Sequence, residues 1–290
     1  MRPTAGPHIG LIGLGLLGSS LASRLLASGF TVIGFDLDAD RRIALDQMGG
    51  RAVESPQEVA ASSRRILLSL PDSGVVAGVV SEIEAQLRED HVIIDTTTGD
   101  PERTASLGRR LAGLRVSYLD AEIGGSSRQV RESDVIVLCG GDPEVYRQCT
   151  DVFRCFARRT FHLGEWGSGA RMKLALNLVL GLNRAALAEG LAFAEAMGFK
   201  SELALEIFQA GPAYSRAMDV KGKKMAAGDF TAEARLSQHL KDVRLILAAG
   251  ERCGAALPLS RQHRQLLEEA ESAGLGAADN SAIIELFRRR

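Results

Sequence analysis

At 290 residues the chain is longer than a single small domain needs, and its length points to two compact units. Lysine and arginine (35) nearly balance aspartate and glutamate (36), so a formal net charge of −1 gives no general attraction to nucleic acid or to an anionic membrane. Four cysteines without CxxC spacing and five dispersed histidines argue for a reducing, cytoplasmic setting and against a metal site.

The opening MRPTAGP is polar and lacks the apolar stretch of a secretion signal. From His8 to about Gly164, short apolar runs (HIGLI, TVIGF, RILLSL, HVIID, VSYLD, DVIVLCGGD and RTFHLG) alternate with segments whose apolar residues recur three or four apart. That alternation predicts an α/β Rossmann-type doubly wound parallel sheet over residues 1–165. Beyond Gly164 the strand signals stop. SGARMKLALNLVLGLNRAALAEGLAFAEAMG reads as one helix of about 30 residues, on the order of 45 Å long, and the segments after it are helical. Gly198, Gly211-Pro212, Gly228, Pro258, Gly274 and Gly276 punctuate them as turns. The expectation is an all-α C-terminal domain over 166–290, begun by a long interdomain helix. Lys173, Asn177, Asn183, Arg184 and Glu189 exclude that helix from a lipid-exposed span. Its apolar positions Leu174, Leu178, Leu182 and Leu191 are expected to be covered by a second subunit, giving a homodimer or homotetramer. The closing Arg288-Arg289-Arg290 is expected to fray in solvent.

Gly13-Leu14-Gly15-Leu16-Leu17-Gly18 follows the first strand and opens the first helix, the context that gives a GxGxxG pattern its meaning. Gly13 allows the tight turn, Gly15 lets the backbone approach a pyrophosphate, and Gly18 lets helix and strand pack closely. The helix N-terminus then presents N–H groups to the phosphates. Seventeen residues lie between Gly18 and Asp36, which ends the second strand where a carboxylate holds both ribose hydroxyls. Asp36 favours NAD, while nearby Arg41 and Arg42 leave NADP possible.

Further segments, in order, resemble the β-hydroxyacid dehydrogenase family, which includes 3-hydroxyisobutyrate dehydrogenase and tartronate semialdehyde reductase, and the resemblance spans nearly the whole chain. LSLPDS resembles the family's post-strand segment, which implies that Leu70 and Pro71 lie against the cofactor. DTTTGDP resembles D-x-S-T-x-x-P, with Thr98 on the threonine that helps hold the ribose. GSGARMKLALN is similar to GxGxxxKxxxN, with Lys173 on the catalytic lysine and Asn177 on the substrate-binding asparagine, four residues apart and so on one helix face. KDVRLIL resembles KDxxLA, whose lysine, here Lys241, approaches nicotinamide and substrate. GLGAADNSA resembles the family's ending in a helical domain of the 6-phosphogluconate dehydrogenase type. Two places depart from the pattern. The usual D-A-P-V-S-G-G is Asp120-Ala121-Glu122-Ile123-Gly124-Gly125-Ser126, and a substrate-facing phenylalanine falls on Ala234 beside Arg235.

Oxidising a hydroxyl needs a hydride acceptor and a group that takes the proton. Lys173 is the candidate for the second. Its ordinary pKa of about 10.4 is expected to be lowered by burial, by the positive helix N-terminus and by Lys241. Gly124, Gly125 and Ser126 are expected to offer N–H and hydroxyl donors to a substrate carboxylate, while Arg128 is either a further anion clamp or part of a solvated face. The resemblance thus implies an NAD(P)-dependent oxidoreductase that interconverts a small carboxylate-bearing 3-hydroxy acid and its semialdehyde or keto form. The alternatives are an imine reductase, which usually has a different residue at the lysine position, and a non-catalytic dinucleotide-binding interaction module, which loses the lysine.

Overall fold

The computed structural model describes residues 7–288. The polar opening through Gly6 and the last two arginines lie outside the described residues. Eight short, mostly buried runs form one sheet: β1 (His8–Ile12), β2 (Thr31–Phe35), β3 (Arg51–Ala52), β4 (Arg65–Leu68), β5 (Val92–Asp95), β6 (Ser117–Gly124), β7 (Val135–Gly141) and β8 (Ala157–His162). Their order is β3-β2-β1-β4-β5-β6-β7-β8, so the connection reverses direction between β1 and β4. In open sheets of this kind, ligands bind outside the carboxyl ends of the strands at that switch.

The helices between strands are α1 (Leu16–Ala27), α2 (Ala39–Gln47), α3 (Pro56–Ser62), α4 (Ser73–Ile83), α5 (Pro101–Gly113), α6 (Ser127–Arg131), α7 (Pro143–Gln148) and α8 (Thr150–Arg154). Several begin where the sequence supplies an acceptor for the first free N–H groups: Asp38, Ser55, Asp72, Asp100 and Asp142 each cap the helix that follows. Two apolar layers enclose the sheet. One gathers Leu21, Leu25, Leu67, Ile94 and Phe153, the other Ile33, Ile66, Val80, Ile93 and Leu111.

The all-parallel expectation fails at one pair, because β7 runs antiparallel to β6. Only Gly125 to Asp134 separate them, and a parallel crossover needs about a dozen residues or more. The fifteen residues between β7 and β8 suffice for α7 and α8, and that pair is parallel. β3 has two residues, too few to show an alternation in the sequence.

After the sheet come α9 (Ser168–Ala196), α10 (Ser201–Ala210), α11 (Lys223–Ala227), α12 (Leu236–Cys253), α13 (Pro258–Ala270) and α14 (Ile284–Arg288). The chain divides into two compact units, one ending at Lys173 and the other beginning at Leu174, so the division falls inside α9. The core of the second unit gathers Leu187, Leu191, Leu205, Leu236, Leu240, Val243 and Leu267. Leu174 and Leu191 are buried within the chain itself, which removes them from any surface for a second subunit; the apolar side chains left exposed here include Val179, Phe193, Met197, Phe199 and Ile207. By length and hydropathy α9 could cross a membrane, yet Lys173, Asn177 and Arg184 on it are buried inside the protein. Arg288 does not fray. Its Nε donates to Glu195 Oε2 at 2.9 Å and its Nη2 to the Met225 carbonyl at 3.1 Å.

Two glycines of unit one separate steric from conformational need. A Cβ on Gly18 would lie 1.9 Å from the Gly13 carbonyl oxygen, whereas one on Gly29, at φ +87°, would meet nothing within 4 Å. Gly18→Ala is therefore expected to lose about 2–3 kcal/mol of stability through forced displacement of the turn, against about 1 kcal/mol for Gly29→Ala. Urea unfolding of the two variants measures the difference, and equal losses would remove the close-packing role given to Gly18.

Candidate active site

The glycine turn is built by contact. Gly13 has φ +95°, its N–H donates to the Phe35 carbonyl at 2.9 Å, and a Cβ there would lie 2.3 Å from the Ser69 carbonyl oxygen. Gly15 differs from its two neighbours in the motif. An added Cβ would touch only Arg41 Nη1, at 3.7 Å, so this face of the turn is open. Gly15 also caps α1 without a side chain, and the first turn of α1 holds no acidic residue. The N–H groups and partial positive charge of α1 thus face open space, an arrangement that suits a pyrophosphate. Leu14 is buried, Leu17 half-buried and Leu16 exposed beside this face.

Asp36 ends β2 with both oxygens engaged. Oδ2 accepts from the Leu14 N–H at 2.7 Å and from Arg41 at 3.3 Å, and Oδ1 accepts from the Asp38 N–H at 2.9 Å. The carboxylate therefore fixes the glycine turn to the end of the next strand. Arg42 donates to the Asp36 carbonyl at 2.8 Å. At the end of β4, the Leu70 N–H donates to Thr97 Oγ1 at 3.0 Å, which ties Leu70 and Pro71 to the segment that carries Thr98. The open Gly15 face, uncapped α1 and anchored Asp36 fit a nicotinamide dinucleotide.

The second half of the site rises from β6. Strand alternation sends Tyr118, Asp120 and Glu122 to one side of the sheet. Tyr118 donates its hydroxyl to Asp95 Oδ2 at 2.9 Å. Asp120 accepts from the N–H groups of Gly167 and Ala170, each at 3.1 Å, and so holds the start of α9 against β6. One turn further on, Lys173 is buried and its Nζ donates to the Ile123 carbonyl at 2.5 Å. Glu122 is 1 % exposed and its Oε2 accepts from Thr98 Oγ1 at 3.1 Å. Thus Thr98 and Lys173, far apart in sequence, meet around one strand.

These acids are unusual electrostatically. Burial pushes Asp95 up to about 6, against hydrogen bonds from Thr97 and Tyr118 that favour the charged form. Burial likewise pushes Asp120 up to about 6, opposed by the Ala170 and Gly167 N–H groups. Burial drives Glu122 well above the usual carboxylate range, and the Lys173 ammonium pulls it back.

Gly124 ends β6. A Cβ on Gly125 would lie 2.5 Å from Val135 Cγ1, so glycine is needed for β7 to approach. Ser126 forms a capping box with Gln129: its hydroxyl accepts from the Gln129 N–H and its own N–H donates to Gln129 Oε1 at 3.0 Å. Of the two donors assigned to Ser126 on sequence grounds, the N–H thus has local work at the start of α6, where the hydroxyl oxygen serves as an acceptor.

In the second unit, Asn177 Nδ2 donates to Asp242 Oδ2 at 2.9 Å, and Lys241 Nζ lies 3.1 Å from Asp242 Oδ1. One buried carboxylate therefore positions both predicted substrate-binding side chains. Asp279 accepts from Lys221 and from the N–H groups of Glu233 and Ala234, which fixes the segment carrying Ala234. Sequence reasoning had not assigned roles to Glu122, Asp120 or Asp242. The signal for Glu122 was present as a charge inside an apolar strand, where the family resemblance expects proline.

Comparisons with known proteins agree along the whole chain. A family described as the NAD binding domain of 6-phosphogluconate dehydrogenase matches residues 8–164, and one described as NAD-binding of NADP-dependent 3-hydroxyisobutyrate dehydrogenase matches 167–287. The chain is 32% identical over 285 residues to 2-(hydroxymethyl)glutarate dehydrogenase of Eubacterium barkeri, covering 97% of this chain and 95% of the relative. It is 29% identical over 284 residues to glyoxylate/succinic semialdehyde reductase 1 of Arabidopsis thaliana, covering 97% and 98%. A crystal structure of 3-hydroxyisobutyrate dehydrogenase from Salmonella typhimurium shares the fold with a TM-score of 0.90 at 22% identity, covering 97% and 99% of the two chains.

The raised acids set a pH dependence. Asp95 holds its proton more tightly in the folded chain than in an unfolded one, so the stability tied to it is full below the ordinary value of 3.8 and is lost as pH rises through about 6. Asp95→Asn removes that loss, so its stability relative to the parent should improve by about 1 kcal/mol between pH 5 and pH 7. Urea unfolding at both pH values checks this, and a constant difference would contradict the burial of an ionising group at that position.

Proposed function

The chain belongs to the β-hydroxyacid dehydrogenase family of NAD(P)-dependent oxidoreductases, and from that premise we propose that it interconverts a small 3-hydroxy acid and its semialdehyde or keto form, with Lys173 as general acid/base. The observation that carries this reading is the burial of the Lys173 amine at the Ile123 carbonyl, on a helix start fixed by Asp120. A lysine in water is a solvated point charge; one removed from water and held in a single place has the requirements of a proton-transfer group.

The bound nicotinamide accepts or supplies the hydride. Lys173 takes the hydroxyl proton in oxidation, and its ammonium returns a proton to the developing alkoxide in reduction. The N–H groups of Gly124 and Gly125 are donors for the substrate carboxylate, and the family resemblance assigns Asn177 and Lys241 to substrate binding. Residues 1–165 serve as the dinucleotide-binding domain, and 166–290 as the substrate and dimerisation domain. We assign the protein to the cytoplasm as a homodimer or homotetramer, supported by the exposed apolar residues Val179, Phe193, Met197, Phe199 and Ile207. Neither nucleic acid nor membrane is a partner, in keeping with the balanced charge. The presence of Lys173 speaks against an imine reductase and against a non-catalytic module. NAD is favoured over NADP because a 2′-phosphate would face the Asp36 carboxylate, though Arg41 beside it reduces the repulsion.

A panel of 2-(hydroxymethyl)glutarate, 3-hydroxyisobutyrate, glyoxylate, succinic semialdehyde, and sulfonated and phosphorylated hydroxy acids, followed by nicotinamide absorbance, should reveal turnover. Lys173→Ala is expected to lower kcat by about 10²–10⁴-fold while NADH affinity, read by fluorescence, stays within about twofold of the parent. Full activity in that variant would end the proposed mechanism. Asp36→Ala should weaken NAD binding by about tenfold or more and NADP binding less; equal effects on both would show that Asp36 does not select the cofactor.

A further inference from the structure

We propose that a cavity in the first unit, between α4 and α5, is a binding site for a small zwitterion, an amino acid whose carboxylate meets Arg103 and whose ammonium meets Asp95. The site is separate from the one assigned to cofactor and substrate, and the inference does not rest on the reading of Lys173.

The cavity measures about 330 Å³, at the lower end of the range in which proteins hold small molecules. None of the residues assigned to dinucleotide or substrate lines it, so it is a space of its own. On the α4 side the wall is low, because Ser73, Gly74 and Ala77 bring only small groups to it. The Ser73 hydroxyl accepts from the Asp100 N–H at 2.8 Å and ties the starts of the two helices together. Val76 and Leu107, both buried, give the cavity its apolar surface.

Two opposite charges line this space without meeting. Asp95 is 4% exposed and accepts from the Thr97 N–H and from the Tyr118 hydroxyl, each at 2.9 Å, and among the described residues no cation pairs with it. A buried carboxylate held by neutral donors alone lacks the counter-charge that buried ions ordinarily have. Each of its oxygens can still accept a second hydrogen bond. Arg103, in the first turn of α5, has the complementary lack. It stands at the exposed side of the cavity, and among the described residues its guanidinium makes no hydrogen bond or ion pair. Arg110, two turns further along α5, is already engaged: it donates to Ser81 at 3.2 Å and pairs with Glu84. A space with an anion at its floor and an unengaged cation at its rim is complementary to a molecule that carries the reverse charges at its two ends. A simple anion would leave Asp95 without a counter-charge and be repelled by it, and a simple amine would leave Arg103 in water. Ser106, one turn after Arg103 on the same face of α5, adds a hydroxyl for the carboxylate.

Isothermal titration calorimetry of the full chain with L-alanine, β-alanine, 4-aminobutyrate and L-leucine tests this, with propionate and propylamine as single-charge controls. None of these carries a hydroxyl for the proposed reaction to oxidise. At least one of the four amino acids should bind, and both controls should bind about tenfold or more weakly than it does. Arg103→Gln and Asp95→Asn should each weaken that amino acid about tenfold or more. Ala77→Leu, which fills the cavity from α4 and removes neither charge, should abolish its binding, while Lys173→Ala should bind it as the parent does. Thermal melting checks that the variants are folded. Arg103→Gln and Ala77→Leu alter exposed positions and carry the test if Asp95→Asn does not fold. No binding of any of the four at millimolar concentration, or binding unchanged in Arg103→Gln and Ala77→Leu, overturns the proposal. Binding lost in Lys173→Ala and kept in Arg103→Gln would put the amino acid in the substrate site, which ends this inference alone and leaves the reading of Lys173 standing.

Discussion

The hydrogen bonds from Gly167 and Ala170 to the carboxylate of Asp120 are the constraint on which the site depends. A helix start carries free N–H groups and partial positive charge, and a buried carboxylate carries the complementary need. Each satisfies the other, so the first turn of α9 is pinned to the middle of β6. Two periodicities then do the placing. The two-residue repeat of the strand puts Glu122 on the same side as Asp120, and the helical repeat brings Lys173 to the Ile123 carbonyl one turn later. Packing adds to the lock, since a Cβ on Gly169 would lie 2.5 Å from the Leu138 carbonyl oxygen.

The dinucleotide half of the site follows a different logic. There the backbone is shaped by contact between glycines and carbonyl oxygens, and the charged group, Asp36, ties the turn to β2 while offering its position to a ribose. The two halves share a sheet whose strand ends converge: β1 supplies the glycine turn, β4 leads to Leu70, β5 leads to Thr98, and β6 carries Glu122. Thr97 and Thr98 join them, one bonding to the Leu70 N–H and the other to Glu122. A cluster of three buried acids beside one lysine is costly in isolation. Here it is spread over a helix N-terminus, a tyrosine hydroxyl, a threonine hydroxyl and an ammonium.

Much of this was legible in the residues alone. The glycine turn between strand and helix could be read because Gly13, Gly15 and Gly18 each have a separate steric reason, and the long helix could be read because no glycine-proline break interrupts its pattern. The antiparallel β7 was not legible from hydrophobicity, since parallel and antiparallel buried strands carry the same apolar run; the ten-residue connection decides it. Nor did the pattern of Leu174 and Leu191 reveal what would cover them, because an apolar face looks alike whether its partner is the same chain or another. Asp120, Glu122 and Asp242 were visible as letters but not as partners. Their roles come from groups about 24 to 65 residues away, a separation over which one sequence carries no signal of contact.

The central claim is that the Lys173 amine meets the reacting oxygen. A crystal structure of the protein with a nicotinamide dinucleotide and a hydroxy acid that it turns over measures this directly. The account predicts the Lys173 nitrogen within about 2.6–3.2 Å of the substrate hydroxyl, with Asp120 still capping α9. A substrate hydroxyl met by a different titratable side chain, with the Lys173 nitrogen bound only to the Ile123 carbonyl, would contradict it.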